Sequence, residues 1–263
     1  MEQKTRIGFI GFGSMGQAIA QGLLTSGACA PQQITACAAH FDRLKERASA
    51  LKIRPAETPL ETAQASDLVV LAVKPHQIEA VTAPILDVLA QKTVISIAAG
   101  WTFEQYEALF RPGTHHLSSI PNTPVSVCEG IFVCEERHSL SQEELSVFRR
   151  LFGSIALIEM VDSAQFSIAG TISGCAPAYT AMYLEALGDA AVKHGLPRQT
   201  AYRLAAKMVC GTGKMYLEGG MHPGAMKDAV CSPGGTTIRG VAALERSAFR
   251  GAVIDAIDAA EQG

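Results

Sequence analysis

The sequence predicts an α/β domain with a doubly wound, mostly parallel sheet, followed by an all-α domain. Up to about residue 159, short apolar runs alternate with amphipathic segments, which is typical of strand-helix-strand units. After residue 162 the strand signals stop, and long segments rich in Ala, Met and Leu follow. With 263 residues the chain is long enough for two domains, each with its own core. We therefore expect a first domain over residues 1–160 and a second over residues 161–263.

Seven apolar segments are expected as strands of the sheet. They are Arg6–Ile10, Gln33–Cys37, Leu68–Val73, Thr93–Ile97, His115–Ser119, Gly130–Cys134 and Ile155–Glu159. The amphipathic segments between them are expected as helices. They are Met15–Ser26, Phe41–Leu51, His76–Leu89, Phe103–Phe110 and Ser141–Leu151. Such alternation places helices on both faces of a parallel sheet.

The second domain is predicted as helices that end at Gly and Pro signals. They are Pro177–His194, Arg198–Glu218, Pro223–Val230 and Thr236–Gln262. Apolar and small residues lie on more than one face of the first two, so these helices need a second partner. Because a domain of about 100 residues buries a limited core alone, we predict a homo-oligomer through these helices, either a dimer or a multiple of a dimer.

Composition argues against several classes of protein. The net charge of -3, with scattered Lys and Arg, argues against nucleic-acid binding. Seven cysteines without a C-x-x-C spacing indicate reduced thiols in a cytoplasmic protein. No apolar run approaches the roughly 20 residues that cross a bilayer, so no membrane association is expected. His115 and His116 are neighbours on a strand and point to opposite faces, so we expect no metal site.

A G-x-G-x-x-G motif lies between the first predicted strand and the first predicted helix. Gly11 permits a tight turn, Gly13 lets a pyrophosphate approach the backbone, and Gly16 lets the helix pack close to its strand. The pyrophosphate then meets the helix N-terminus. This position of the motif predicts a Rossmann dinucleotide-binding domain. The residues expected to contact the cofactor here are Ile10, Gly11, Phe12, Gly13, Ser14 and Met15.

The end of the second strand indicates which dinucleotide is bound. NAD-binding domains usually carry Asp or Glu there, to bind the ribose 2′-hydroxyl. Here the strand ends in Ala38, Ala39 and His40, without a carboxylate, and Asp42 is expected to cap the next helix. His40 and Arg43 are placed to meet a 2′-phosphate. The sequence therefore favours NADPH, an NADP cofactor, with NAD as the alternative.

Two further strand ends, at Val73 and Ile97, are expected to line the same crevice, because ligands bind at the carboxyl edge of such sheets. Asn122 lies in a loop stiffened by two prolines and is predicted to lie near the nicotinamide. Lys74 could contact cofactor or substrate, and the alternative is an exposed loop lysine. The residues expected to contact the cofactor in these segments are Ala72, Val73, Lys74, Pro75, Ala98, Ala99 and Asn122.

A Pro-Gly-Gly loop precedes the last predicted helix. Pro233 fixes one backbone torsion, Gly234 and Gly235 allow close approaches, and the N–H groups of the helix that begins near Thr236 are unpaired. The loop holds no Lys or Arg, so we expect it to bind a small carboxylate through backbone amides and the hydroxyls of Ser232, Thr236 and Thr237. The alternative is a plain helix connection in which Ser232 or Thr236 is the N-cap.

Taken together, these segments resemble the pyrroline-5-carboxylate reductase family over essentially the whole chain. The segments that carry the resemblance are Gly11–Gly16, Ala72–Pro75, Pro121–Pro124, Ser173–Tyr179 and His222–Thr237. The resemblance implies NADPH-dependent reduction of 1-pyrroline-5-carboxylate to proline, close to a subunit boundary. It also implies that the substrate carboxylate is bound by Ser232, Gly235, Thr236 and Thr237. We expect Gly234 of the same loop to contribute to substrate binding. Two departures from the family pattern are Cys175-Ala176 for Ser-Gly and the replacement near Pro59 of an Asn that contacts the adenosine half.

Reduction of an imine needs no strong acid, because the nitrogen is basic enough to carry its own proton. We expect Thr237 to be catalytic by hydrogen-bonding the ring nitrogen, with a helix-capping role as the alternative. A 3-hydroxyacid-type dehydrogenase would need a Lys early in the first long helix, and Pro177–Asp189 contains none. The remaining alternatives are a reductase of another cyclic imine and a non-catalytic NADP(H) sensor.

Overall fold

In the computed structural model, which describes residues 5–262, an eight-stranded sheet forms the centre of the first part of the chain. Its strands are β1 (Ile7–Ile10), β2 (Ile34–Cys37), β3 (Arg54–Pro55), β4 (Leu68–Leu71), β5 (Thr93–Ser96), β6 (His115–Pro121), β7 (Gly130–Glu135) and β8 (Ala156–Val161). They lie in the order β3-β2-β1-β4-β5-β6-β7-β8, and every neighbouring pair is parallel except β6 and β7. The chain changes direction across the sheet at β1, which creates a crevice between β1 and β4.

Helices cover both faces of this sheet, because its central strands are buried on both sides. Phe9 of β1 packs in one apolar cluster and Ile10, its neighbour, packs in the other. The helices of this part are α1 (Ser14–Thr25), α2 (Phe41–Leu51), α3 (Pro59–Gln64), α4 (Ile78–Thr82), α5 (Leu86–Leu89), α6 (Phe103–Leu109), α7 (Gln142–Phe152) and α8 (Phe166–Gly174). The doubly wound, mostly parallel sheet predicted from the sequence is confirmed.

Several elements differ from the sequence prediction. The predicted helix His76–Leu89 is two short helices, α4 and α5, separated by a 3-10 turn that contains Pro84. Proline lacks the N–H that a continuous helix would need there. Strand β3 and helices α3 and α8 were not predicted. Helix α8 packs against β6 and β7, so the chain divides into a first compact unit that ends at Gly174 and a second that begins at Cys175.

The second unit is all-α, as predicted. Its helices are α9 (Ala176–Lys193), α10 (Arg198–Gly219), α11 (Pro223–Ala229), α12 (Thr236–Arg246) and α13 (Phe249–Glu261). Helices α9 and α10 pack closely at Gly188, where an added Cβ would lie 2.3 Å from the ring of Tyr202. The predicted single helix Thr236–Gln262 is wrong, because Ala248 has a φ of 54° and separates α12 from α13.

Much of the apolar surface of the second unit is exposed. The large apolar side chains that are more than half exposed there are Met182, Leu204, Met215, Leu217, Val230 and Ile254. By contrast, its buried apolar side chains among the described residues are the small Ala201 and Ala205. A folded unit with this distribution has apolar faces that a partner can cover. Within residues 5–262 we find no helix with the length and apolar character that a membrane span requires.

Candidate active site

A cleft of about 880 Å³ lies at the carboxyl ends of β1, β2, β4 and β5 in the first unit. It is the crevice that the change of strand direction at β1 creates. The residues expected to contact a cofactor line this cleft, with one exception. The predicted residues that line it are Ile10, Gly11, Phe12, Gly13, Ser14, Met15, His40, Ala72, Val73, Lys74, Pro75, Ala98 and Ala99.

The Gly-rich turn between β1 and α1 has the geometry that phosphate binding requires. Gly11 has a φ of 92°, and an added Cβ would lie 2.5 Å from the Ala72 carbonyl oxygen. At Gly16 an added Cβ would lie 3.0 Å from the Gly11 carbonyl oxygen, so the helix can approach the turn only without a side chain. Gly13 has no atom within 4 Å of its Cβ position, and it precedes α1 without a side-chain cap. The first N–H groups of α1 are therefore available to an anionic group.

Two side chains hold the carbonyl groups of this turn, and neither was predicted. Arg47 Nη1 donates to the Phe12 carbonyl oxygen at 3.1 Å, and Gln17 Nε2 donates to the carbonyls of Phe12 and Gly13 at 3.1 and 2.9 Å. Arg47 is on α2 and also lines the cleft. Its only signal in the sequence is its spacing of four residues from Arg43, which places both on the same face of α2.

One wall of the cleft is basic. His40, Arg43 and Arg47 all belong to the lining, at the start and along one face of α2. The expectation that Asp42 caps α2 is wrong, because His40 is the N-cap and Asp42 lies in the first turn, 3.7 Å from Lys45. Glu57 contributes a carboxylate to the lining that was not predicted from the sequence. The basic groups nevertheless outnumber it, which suits a negatively charged ligand.

Asn122 lies outside the cleft lining, and Thr123 contributes to it instead. The Asn122 side chain is 5% exposed, and its Nδ2 donates to the Ser173 carbonyl at 3.0 Å. Its Oδ1 accepts from the Ile131 N–H at 2.8 Å. Both ends of the amide therefore hold the backbone, a role that was not predicted from the sequence. A contact between Asn122 and the cofactor stays a prediction.

Cys37 and Lys74 also line the cleft. Burial raises the pKa of the Cys37 thiol, which keeps it neutral and argues against nucleophilic chemistry. Lys74 is exposed at the rim, where its backbone N–H donates to Gln77 Oε1 at 3.2 Å. This hydrogen bond does not use the Lys74 ammonium group, which can therefore contact a bound anion.

In the second unit, the loop before α12 forms a tight turn from Ser232 to Gly235. The Gly235 N–H donates to the Ser232 carbonyl at 3.0 Å, Pro233 takes the second position, and Gly234 in the third has a φ of 65°. This is the arrangement of a type II turn, which requires a positive φ at its third residue. Gly235 is also the N-cap of α12 and supplies no side-chain cap. The alternative in which Ser232 or Thr236 is the N-cap is therefore wrong.

The hydroxyl groups of the turn are open to solvent. Ser232, Thr236 and Thr237 are exposed, and an added Cβ at Gly235 would lie 2.4 Å from Ser232 Oγ. A side chain at position 235 would require the serine hydroxyl to move from its place beside the start of α12. The N–H groups of the first turn of α12 and the neighbouring hydroxyls together form a donor-rich surface. Such a surface can bind a small carboxylate.

The two adjacent histidines contact separate carboxylates. His115 Nδ1 lies 2.7 Å from Glu144 Oε2, and the buried His116 Nε2 lies 2.8 Å from Glu107 Oε1. Their partners lie on α7 and α6, which confirms that the two side chains point to opposite faces of β6. Over residues 5–262, no group of three or more His, Cys, Asp or Glu side chains is placed to hold a metal ion.

Comparison with known proteins places these two units together in one family. Residues 163–263 match the model for pyrroline-5-carboxylate reductase dimerisation, and residues 6–100 match the model described as NADP oxidoreductase coenzyme F420-dependent. The chain is 45% identical to pyrroline-5-carboxylate reductase of Treponema pallidum, over 97% of this chain and 98% of that one. It is 40% identical to the enzyme of Escherichia coli, over 98% and 95% of the two chains. The chain belongs to the pyrroline-5-carboxylate reductase family.

A solved structure extends this comparison to three dimensions. Pyrroline carboxylate reductase of Plasmodium falciparum, with NADP bound, has a TM-score of 0.86 and 28% identity, and covers 97% of this chain and 95% of that one. The resemblance stated from the sequence is confirmed, and so is the combination of a Rossmann unit with an all-helical dimerisation unit. As a pyrroline-5-carboxylate reductase, the chain is an oxidoreductase. Consistently, α9 carries no lysine before Lys193 in its last turn, unlike the hydroxyacid dehydrogenases considered above.

Proposed function

We propose that this chain reduces 1-pyrroline-5-carboxylate to proline with NADPH, which is the last step of proline biosynthesis. The single observation that carries the proposal is the presence, in one chain, of a dinucleotide cleft and of the type II turn that opens α12. Full-length relatives at 40 and 45% identity support the same reaction. We also propose a division of labour in which residues 1–160 bind the cofactor and residues 161–263 bind substrate and dimerise. The match of residues 163–263 to a dimerisation model supports it.

The residues of the cleft fit NADPH. The open space at Gly13 and the uncapped start of α1 suit its pyrophosphate. His40 and Arg43 on the basic wall suit its 2′-phosphate, since charged donors bind phosphate oxygens strongly. When bound, NADPH supplies the hydride. The chain's own part is to hold the cofactor through the Gly-rich turn and the small residues Ala72, Ala98 and Ala99 at the strand ends. NAD remains the weaker alternative because it lacks the 2′-phosphate.

The turn before α12 binds the substrate carboxylate in this proposal. The N–H groups at the start of α12 donate to the carboxylate oxygens, and Ser232 and Thr236 add their hydroxyls. Gly234 and Gly235 keep the turn free of side chains at the points of closest approach. Binding through backbone amides fixes the ring without a strong acid or base, which suits an imine that carries its own proton.

Thr237 is the residue that we assign to the ring nitrogen. It lies in the first turn of α12, next to the amides that hold the carboxylate, and it is exposed. Its hydroxyl can hydrogen-bond the ring N–H and so orient the C=N bond. In the structure Gly235, rather than a threonine, is the N-cap of α12, so the capping alternative for Thr237 has no support.

We further propose that two copies of the chain pair through the second unit. The exposed apolar side chains of α9, α10 and α13, among them Met182, Leu204 and Ile254, support a large apolar interface. The seven cysteines are free thiols in the structure, which supports a cytoplasmic location.

The direct test is an assay of NADPH oxidation with 1-pyrroline-5-carboxylate and with other cyclic imino acids. We expect turnover that is fastest with pyrroline-5-carboxylate. Thr237→Ala should lower kcat by about ten- to a hundredfold, the effect of a lost hydrogen bond to a reacting group, and Thr237→Ser should restore most of it. Tight NADPH binding without any turnover would support the sensor alternative and overturn the proposal. A fall in melting temperature that matched the loss of rate in Thr237→Ala would argue against the catalytic role of Thr237.

A further inference from the structure

One side chain joins two segments of the cleft wall. The indole Nε1 of Trp101, the only tryptophan of the chain, donates a hydrogen bond to the Pro75 carbonyl oxygen at 3.0 Å. Pro75 follows β4 and lines the cleft. Trp101 follows β5, directly after the exposed Ala99 and Gly100, and Ala99 lines the cleft as well. Since β4 and β5 are paired neighbours, the indole spans the two wall segments that extend from their ends.

The indole is itself held in place by a buried tyrosine. The rings of Trp101 and Tyr106 lie with their centroids 5.0 Å apart, and Tyr106 is fully buried under the sheet. Its hydroxyl hydrogen-bonds Ser96 Oγ, which in turn accepts from the Ala98 N–H at 3.2 Å. Burial raises the pKa of Tyr106 well above its ordinary range, so the hydroxyl keeps its proton. A continuous series of contacts through Trp101, Tyr106 and Ser96 therefore links Pro75 to Ala98. Both Pro75 and Ala98 line the cleft.

We propose that Trp101 is a positioning residue for cofactor binding: its indole, seated on Tyr106, fixes the spacing between the wall segments after β4 and β5. The inference rests on the proposed function, in which this cleft binds NADPH. Lys74, Pro75, Ala99 and Gly100 are exposed, and Gly100 has a φ of 80°, so these four residues have little packing of their own to restrain them. A wall that is already fixed loses less freedom when a ligand binds, which increases affinity.

A positioning role for Trp101 predicts a change in cofactor affinity, whereas a simple packing role predicts a change in stability alone. Trp101 is absent from the cleft lining itself, so its loss removes no direct contact with a ligand there. Its effect must pass through the hydrogen bond to Pro75. Trp101→Phe keeps an aromatic ring against Tyr106 and removes only the N–H donor. Thr114→Val is the matched control, because the buried Thr114 Oγ1 donates to the Arg111 carbonyl at 2.7 Å, after α6 but at the opposite edge of the sheet.

The test is calorimetric titration of NADPH into the full-length protein, together with steady-state kinetics and melting curves. We expect Trp101→Phe to raise the NADPH Kd and KM by about three- to tenfold, the range for one lost hydrogen bond, with the KM for pyrroline-5-carboxylate unchanged. Thr114→Val should lower the melting temperature without changing the NADPH Kd. An unchanged Kd in Trp101→Phe, or an equal rise in both variants, would overturn the inference while leaving the proposed function intact. Failure of the unmodified protein to bind NADPH would overturn both.

Discussion

The guanidinium of Arg47 donates a hydrogen bond to the carbonyl of Phe12 at a distance of 3.1 Å, and so connects α2 to the Gly-rich turn. The two residues are far apart in sequence, and Phe12 has its ring in the core against Phe9, 5.9 Å between centroids. The backbone of Phe12 is therefore held on one side by its own packed side chain and on the other by Arg47. This arrangement fixes the turn that is proposed to bind the pyrophosphate.

Arg47→Met should weaken the binding of both NADPH and NADH. Methionine keeps much of the length of the side chain and removes the donor to Phe12, so the Gly-rich turn loses a restraint that both cofactors use. Hydrogen bonds from charged groups contribute about 1.5 to 3 kcal/mol, so the KM of each cofactor should rise at least tenfold. Initial-rate kinetics with each cofactor measure this. Arg150→Met, at an exposed arginine of α7, is the control, and an equal effect there would count against the role of Arg47.

Arg43→Gln, by contrast, should affect the KM of NADPH much more than the KM of NADH. Arg43 lines the cleft beside His40, where a 2′-phosphate is expected, and NADH has no such phosphate. We predict about a tenfold rise in the KM of NADPH and a change of less than about twofold for NADH. Lys45→Gln, on the same helix but outside the lining, should alter neither value. A parallel loss with both cofactors would show that Arg43 acts on the shared part of the dinucleotide.

The sequence predicted the sheet well because its central strands are short apolar runs buried on both faces. The strands β1, β2, β4 and β5 were each predicted to within two residues at either end. Elements without such a signal were missed. Strand β3 has two residues, and α8 contains Gly, Ser, Thr and Ile, which favour helices weakly and are helical here because they pack on β6 and β7. The break at Ala248 carries no Gly or Pro, so the pattern alone gave no reason to divide the last helix.

The candidate site was predicted where backbone motifs define it. The Gly-rich turn, the strand ends and the Pro-Gly-Gly loop each have a glycine that the geometry requires, and these positions are visible in one sequence. Arg47, Gln17 and Trp101 were missed because their contacts depend on how helices and loops far apart in the chain are placed. Asn122 has a role that its loop sequence does not reveal. Its amide binds the Ile131 N–H and the Ser173 carbonyl, two backbone groups that need a partner when buried. Its contact with the cofactor stays a prediction.

Glu144 should make the stability of the protein depend on pH. Burial opposes its charged form, but hydrogen bonds from the Ser141 N–H at 2.7 Å and the Thr93 hydroxyl at 2.8 Å outweigh burial and hold the pKa of Glu144 below its ordinary value. A carboxylate whose pKa is lower in the folded state contributes stability above its unfolded pKa of about 4.3. That contribution is lost as the pH falls through the lower, folded pKa.

Glu144→Gln should therefore lower the free energy of unfolding by about 1 kcal/mol at pH 7, and the difference from the unmodified protein should shrink at about pH 3. Urea unfolding at one protein concentration and at both pH values measures this. Glu143→Gln changes the same charge at the next position of α7 and should show a smaller effect at either pH. If Glu144→Gln lowers the free energy of unfolding by the same amount at both pH values, the ionised Glu144 is not the source of the stability.

Gly234→Ala should weaken substrate binding through the backbone alone. Gly234 has a φ of 65° and nothing lies within 4 Å of its Cβ position, so alanine there meets no neighbour but carries the cost of a left-handed backbone, roughly 1 to 2 kcal/mol. Relief of that strain would move the Gly235 amide and the start of α12. We predict about a tenfold rise in the KM for pyrroline-5-carboxylate with an unchanged KM for NADPH.

The matched control for this variant is Gly220→Ala. Gly220 has a φ of 62° at the end of α10, and its Cβ position is equally open, so the backbone cost is the same at a site away from the turn. The two variants should lower the melting temperature by similar amounts. Only Gly234→Ala should raise the KM for pyrroline-5-carboxylate, because only its strain lies in the turn that presents the amides to the carboxylate. A similar rise in both variants would mean that the loss follows general stability, and the assignment of the carboxylate to this turn would then be wrong.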